Sequence, residues 1–346
     1  MAVTTFEALS RDDTTTTRTP LHESIPLTGT IISGTYGTFP NDTNIKNYTH
    51  GQFQSVYDYP FLSSSANHIF DLTVGYDESS PLSASSGVVQ NAKKINMYNQ
   101  FSQVLLGFTG STNAVRKFEL DLDLDEVNVL PEAFIVPFSR LIVKDQIKEG
   151  TFSITLGTGS YANPHAVRKT LSDASSSANS GTKSTLGGEY GVLYSQVDNV
   201  ARGLVFYQAG VVLLSTSSFD LTTEFLSESS GTKTIEQTFV SSSITGACDS
   251  LRRRIYDVSF NNTTEINSTI YFCRIPANNY NHSSNPTYTS GSKMVVKNVE
   301  SDTPVSYITT VGLYSADNEL MATAKLSEPL KKDPTNQITL RVRLDY

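Results

Sequence analysis

Apolar and polar positions alternate most persistently near the C-terminus. Val305, Tyr307, Thr309, Val311 and Leu313 interleave with Ser306, Ile308, Thr310, Gly312 and Tyr314, and the turn Ser315-Ala316-Asp317-Asn318 follows. The chain returns through Leu320, Ala322, Ala324 and Leu326, with Met321, Thr323 and Lys325 opposite. After a linker over 329–334, a last strand sets Ile338, Leu340, Val342 and Leu344 against Thr339, Arg341 and Arg343. A period of two between Asp/Asn/Pro turns predicts half-buried antiparallel strands. Phe152, Ile154 and Leu156 alternate likewise. Residues 204–207 and 211–214 flank Ala209-Gly210 as a hairpin, and 251–260 and 265–275 flank Asn261-Asn262-Thr263-Thr264 as another. One helical stripe stands out: Ile95, Tyr98, Phe101, Leu105 and Phe108 predict a helix over about 86–108, with Gly107 and Gly110 as stop signals. The stretch 138–147 reads as helix or strand.

These elements predict a mainly β (α+β) chain in three parts. Residues 1–50 form an extended N-terminal arm, 51–186 a mixed α/β region holding the helix, and 187–346 an antiparallel, β-sandwich-like domain. The arm is polar and punctuated by Gly and Pro, with too little apolar surface to order itself, so a neighbouring subunit is its expected support. Residues 172–188 and 278–292 read as exposed loops. Ser-Gly-Thr-Lys at 180–183 and 230–233 is turn chemistry rather than a repeat.

Composition sharpens this picture. The chain has 346 residues, enough to bury a full core without staples. Its 17 Tyr and 17 Phe with no Trp favour strands. A net charge of −8, from 26 Lys plus Arg against 34 Asp plus Glu, argues against a nucleic-acid backbone as partner. Two cysteines, Cys248 and Cys273, make neither a disulfide framework nor a metal quartet, and a buried thiol is expected at Cys273. No segment approaches the roughly 18 apolar residues of a membrane span, and the N-terminus lacks a signal segment. Cytosolic synthesis and no membrane insertion are therefore expected.

Tyr307-Ile308-Thr309-Thr310-Val311-Gly312-Leu313-Tyr314, Glu319-Leu320-Met321-Ala322-Thr323-Ala324-Lys325-Leu326 and Leu340-Arg341-Val342-Arg343-Leu344 resemble a hairpin-plus-strand module of tailed bacteriophages, found in tail, baseplate and fibre-attachment proteins. Lys94-Ile95-Asn96-Met97-Tyr98-Asn99-Gln100, Phe138-Ser139-Arg140-Leu141-Ile142-Val143-Lys144-Asp145 and residues 261–272 are similar to virion structural proteins of contractile-tailed phages. The resemblance implies a place in a virion and no chemistry.

Each candidate site has a plainer reading. In the acidic run Glu119, Asp121, Asp123, Asp125 and Glu126, the three aspartates match the first ligands of a calcium loop, with Glu132 at the twelfth position. Glu126 stands where the loop needs glycine, so a strand with an acidic outer face, Leu120, Leu122 and Leu124 inward, is preferred. Arg252-Arg253-Arg254 reads as a solvated strand or as a charge-complementary contact with another subunit. The edge of Ile338, Leu340 and Val342 offers backbone groups to a neighbouring chain. His165 lies in a turn, and no HExxH, G-x-S-x-G or complete phosphate loop exists. Gly157-Thr158-Gly159-Ser160 reads as a flexible loop.

The expected function is structural and non-enzymatic, without cofactor or metal. The chain is read as a tail, baseplate or neck component forming a homo-oligomeric ring or array with other virion proteins. The alternative is a fibre-associated receptor- or carbohydrate-binding module, with Tyr280 and Tyr288 stacking on sugars. An envelope hydrolase would need a facing carboxylate pair.

Overall fold

A computed structural model describes residues 7–27, 42–110, 113–173, 182–226, 232–283, 286–291, 293–295, 299, 301 and 303–346. In chain order its strands are β1 (Thr14–Pro26), β2 (Ile45–Asn47), β3 (Gln54–Tyr57), β4 (His68–Tyr76), β5 (Glu132–Pro137), β6 (Gln146–Ile147) and β7 (Ser153–Gly157). Then come β8 (Arg168–Ser172), β9 (Lys183–Thr185), β10 (Gly188–Ser195), β11 (Ala201–Phe206), β12 (Val211–Ser215), β13 (Phe225–Leu226) and β14 (Thr232–Lys233). The rest are β15 (Ile255–Ile275), β16 (Thr289–Ser290), β17 (Lys293–Met294), β18 (Ser306–Tyr314), β19 (Leu320–Lys332) and β20 (Ile338–Asp345). The α-helices are α1 (Asn91–Leu105), α2 (Arg140–Val143), α3 (Ile235–Ser241) and α4 (Ile244–Arg252). Strands hold 44% of the chain against 15% in helices, so it is β-rich as expected.

The chain divides into two compact units: Leu21–Thr264, and Met1–Pro20 with Glu265–Tyr346. The sequence had placed its boundaries near 50 and 187. In the larger unit the strand order is β15-β7-β8-β10-β11-β12-β5-β4-β3-β2, so β5 and β12 lie side by side across residue 187. Among the described residues, neighbouring strands of this order pair antiparallel.

This sheet buries both faces. From β5, Phe134 and Val136 join one apolar cluster while Ala133 and Ile135 join a second; β12 divides Val212 and Leu214 from Val211 and Leu213 in the same way. Strands covered on both sides read as continuous apolar runs. Each of these Val, Leu, Ile and Phe side chains stabilises the fold by about 1.5–3 kcal/mol. Ile235, Phe239, Ile244, Ala247 and Leu251 of α3 and α4 belong to the first cluster. Tyr98 and Leu105 of α1 belong to the second, along with Phe118 and Leu130, which flank the acidic run.

Helix α1 is shorter than predicted. Gln90 precedes it at φ 56°, and Gly107 at φ +82° ends it, its N–H donating to Ser102 O at 3.0 Å. Phe108 therefore leaves the stripe and is 52% exposed. The helix presses on β4 at Gly75, where an added Cβ would stand 2.8 Å from both Lys94 O and Tyr98 N. Gly75→Ala should destabilise the chain by about 2–3 kcal/mol, because backbone atoms cannot swing aside. An unchanged urea midpoint would mean that α1 lifts off β4 without cost.

Three expectations fail for physical reasons. The hairpin predicted over 251–275 is one 21-residue strand, β15, preceded by α4. Its presumed turn residues Asn262 and Thr263 pair with Ile147 and Gln146. The acidic run is no strand: residues 120–128 form bends, and only its ends pair, Leu120 N donating to Asn128 O at 2.9 Å and Leu130 N to Phe118 O at 2.6 Å. The alternation survives because the run lies against the sheet, with Leu120, Leu122 and Leu124 packed on the second cluster.

Thirdly, the arm is not free over Thr14–Pro26, where β1 neighbours β15. In the larger unit, His22 Nδ1 lies 3.1 Å from Thr263 Oγ1 and Leu27 N donates to Val258 O at 2.8 Å. In the smaller unit, Thr16 Oγ1 lies 3.3 Å from Thr269 Oγ1. Partner numbers fall as those of β1 rise, so the two strands are antiparallel. Side-chain burial is slight throughout β1; it is ordered through its backbone, which an apolar-content argument does not count. Residues 28–41 of the expected arm lie outside the described residues.

The smaller unit is built differently. Among its described residues, Tyr288 and Val342 are the buried apolar side chains. Polar contacts hold the rest. Lys332, fully buried, donates to Ala277 O at 2.9 Å, Asn281 Oδ1 at 2.7 Å and Asp333 O at 2.8 Å. Arg274 pairs with Asp13 at 2.5 Å. The predicted linker 329–334 is partly strand, because β19 continues through Pro329 to Lys332.

Candidate functional site

Three places could carry function: the arginine run, the acidic loop and the C-terminal strands.

The arginine run is structural. Arg252 ends α4 and is 5% exposed; its Nη2 reaches Asp42 Oδ2 at 2.5 Å and Asp249 Oδ1 at 3.2 Å. A cation suits a helix C-terminus, whose carbonyls point outward. Gln54 Nε2 donates to the same Asp249 Oδ1 at 2.9 Å, which ties α4 to β3. Arg253 caps α4 and is half-buried. Arg254 is 2% exposed and donates through Nη1 to Gly157 O at 2.8 Å and Gly159 O at 3.0 Å, and through Nη2 to Glu224 O. Its guanidinium lies 4.5 Å from the Phe225 ring centroid. The run is not the expected solvated or intersubunit strand face, since Arg252 and Arg254 are buried and turn their Nη donors inward. The Gly157–Gly159 turn, expected as a flexible loop, is the acceptor for Arg254.

Tyr161, Pro164, Ser250, Arg253 and Arg254 line a pocket of about 10 Å³, room for one water. His165 sits beside it in a 3-10 turn over Pro164–Ala166, its ring 5.4 Å from that of Tyr256. Burial first, then the charges of Arg168 and Arg254, push its pKa down, so the imidazole is neutral at pH 7. The neighbours that shift it are cations, not the carboxylate that would orient a base.

The acidic loop gathers what the sequence spread out. Glu119, Asp121, Asp123 and Asp125 each place one carboxylate oxygen within 4.8 Å of the others. Glu119 is 3% exposed, its Oε1 accepting from Glu126 N at 3.0 Å. Asp121 Oδ2 accepts from Asn128 Nδ2 at 2.8 Å, and Asp125 Oδ1 from Val127 N at 2.9 Å. Tyr98 fastens both ends, its hydroxyl donating to Leu130 O at 2.8 Å and accepting from Phe118 N at 3.1 Å. Burial foremost, with the charges of Asp121 and Asp125, raises the Glu119 pKa. Glu132, the expected twelfth-position ligand, lies on β5 and accepts from Ser80 Oγ at 2.6 Å. Glu119, not Glu132, stands with the three aspartates, a grouping that a linear loop template cannot anticipate.

At the C-terminus, β18 and β19 pair with each other as a two-stranded sheet. Register breaks between Ile308 and Thr310, opposite the Leu326–Pro329 stretch, where proline has no N–H to give. The break flips the face: Tyr307 is exposed while Val311 and Leu313 are half-buried, against the single phase predicted. Tyr314, Leu320 and Met321 are exposed near the hairpin turn, Met321 at 69%. β20 pairs with β15 in continuous register from Ile338↔Ile275 to Asp345↔Ser268. Ile338, Leu340 and Val342 face inward, with Thr339, Arg341 and Arg343 exposed. Among the described residues no strand pairs with the other side of β20. The edge expected there is present as backbone, not as those apolar side chains.

The aromatic pair imagined for sugars is not one. Tyr288 is 8% exposed and its hydroxyl donates to Val305 O, while Tyr280 is 43% exposed. No described helix is long and apolar enough to cross a membrane. The chain matches no protein-family model, no curated protein and no solved structure.

Proposed function

We propose that this chain is a non-enzymatic structural component of a bacteriophage virion, in the tail, baseplate or neck, that assembles with copies of itself and with neighbouring virion proteins. The β18–β19 ribbon carries the reading. An isolated two-stranded ribbon is marginal in water, and this one leaves Tyr307, Tyr314, Leu320 and Met321 exposed. A second sheet laid over it would complete a sandwich, and the open side of β20 would accept a further strand. Copies arranged by rotation would close as a ring or array, and the assembled chain would reside in the virion.

An antibody against the full chain, applied to purified particles of the phage that encodes it, should label one discrete location under the electron microscope. The double variant Leu320→Glu, Met321→Glu should fold normally yet be missing from particles. Unlabelled particles, or normal incorporation of the variant, would defeat the proposal. Specific glycan binding by the isolated chain would replace it with a receptor-binding role.

A further inference from the structure

We propose that Glu119, Asp121, Asp123 and Asp125 form a calcium site on the loop that covers the second face of the larger unit's sheet. The inference goes beyond the assembly role and stands or falls without it.

Surface acids often cluster without meaning, so the buried oxygens decide the matter. Glu119 is 97% buried, and its Oε1 is engaged by Glu126 N, yet Oε2 has no hydrogen-bond partner among the described residues. Asp121 repeats the arrangement: Oδ2 is engaged by Asn128, and Oδ1 is buried without a partner. Leaving a buried carboxylate oxygen unsatisfied is costly, and native proteins do so rarely. Here two such oxygens belong to one four-carboxylate cluster. Among the described residues, no lysine or arginine forms an ion pair with any of the four. Lys183, the nearest cation by hydrogen bonding, donates to the Asp123 carbonyl at 2.7 Å. The cluster thus concentrates negative charge and supplies no counter-charge of its own.

The number and kind of ligands select the ion. Calcium binds oxygen at about 2.3–2.6 Å, so ligands on opposite sides stand about 4.6–5.2 Å apart. The four oxygens, all within 4.8 Å of one another, are close enough to share one such ion. Magnesium, at about 2.0–2.1 Å, keeps several waters and is usually held by one or two carboxylates rather than four. An all-carboxylate set lacks the nitrogen or sulfur that favours zinc or copper. Asp123 and Asp125 are exposed, so an ion reaches the cluster from solvent, and waters complete its six to eight ligands. Once bound, it would pin a loop whose three leucines pack on the sheet beneath.

The test uses the full-length chain, stripped with a chelator and titrated by calorimetry. One calcium per chain should bind, with a Kd between about 10 µM and 1 mM, and the melting temperature should rise with calcium and not with equal magnesium. Glu119→Gln should weaken binding at least about tenfold. So should Asp123→Asn, whose exposed position leaves packing untouched and keeps the test decisive if the first variant misfolds. No heat and no thermal shift at about 10 mM calcium, equal response to magnesium, or wild-type affinity in Asp123→Asn would each overturn the site.

Discussion

Replacing Arg254 by methionine should cost about 3–5 kcal/mol of stability, the range for removing one partner from a buried charged network. Methionine fills similar volume but donates nothing. Gly157 O, Gly159 O and Glu224 O would lose their donor in a place water scarcely reaches. Burial lowers the Arg254 pKa to about 10, so the group is charged at pH 7 and its charge rests on those carbonyls and the Phe225 face. Lysine should not rescue, since three directed donors on a planar fork cannot be reproduced by an ammonium. Urea unfolding measures the loss. A change below about 1 kcal/mol would mean that solvent or Arg253 takes over the three acceptors.

Lys94→Met should be the next most damaging substitution, at about 3 kcal/mol. Lys94 is fully buried, and its ammonium donates to Phe239 O at 2.5 Å and Ser242 O at 2.8 Å, carbonyls at the C-terminal end of α3. Such carbonyls lack helical partners and carry the negative pole of the helix. Burial chiefly, with the charge of Lys233, lowers the Lys94 pKa from 10.5 to about 8. Between those values the unfolded chain binds the proton that the folded chain releases, so this group's contribution to stability rises with pH. The full effect is up to about 3 kcal/mol. Wild type should therefore gain stability from pH 8 to 9.5, and Lys94→Met should show a flatter slope. Higher pH is uninformative because Tyr98 and Tyr190, whose pKa values are raised mainly by burial, then favour unfolding. Parallel slopes would contradict this account.

What the sequence conveyed follows from the range of each signal. The β11–β12 hairpin was legible because two apolar runs and Gly210 at φ +66° are local. The stripe of α1 was legible for the same reason, save at its ends. Helices α3 and α4 were overlooked although their starts were written: Thr234 and Gln237 form a capping box, and Ser243 accepts from Gly246 N. Between them, Ser241-Ser242-Ser243 looks like loop. Asn262 misled because its amide, which suits a turn, instead donates to Ile142 O at 2.9 Å inside β15. Arg254 misled more deeply, since its acceptors lie 30 to 97 residues away. The acidic loop shows both sides: its cluster of carboxylates was readable, but Glu132 is carried off on β5 to Ser80 while the bends of 120–128 bring Glu119 beside the aspartates.

The doubly coated sheet also limits how the larger unit can change over evolutionary time. Leu213 and Val212, adjacent on one strand, answer to different packing partners above and below it. A slab with both broad sides committed has its freedom to diversify at the rim. New specificities would accumulate in the connecting loops while the central strands drift only by exchanging one apolar residue for another of similar bulk.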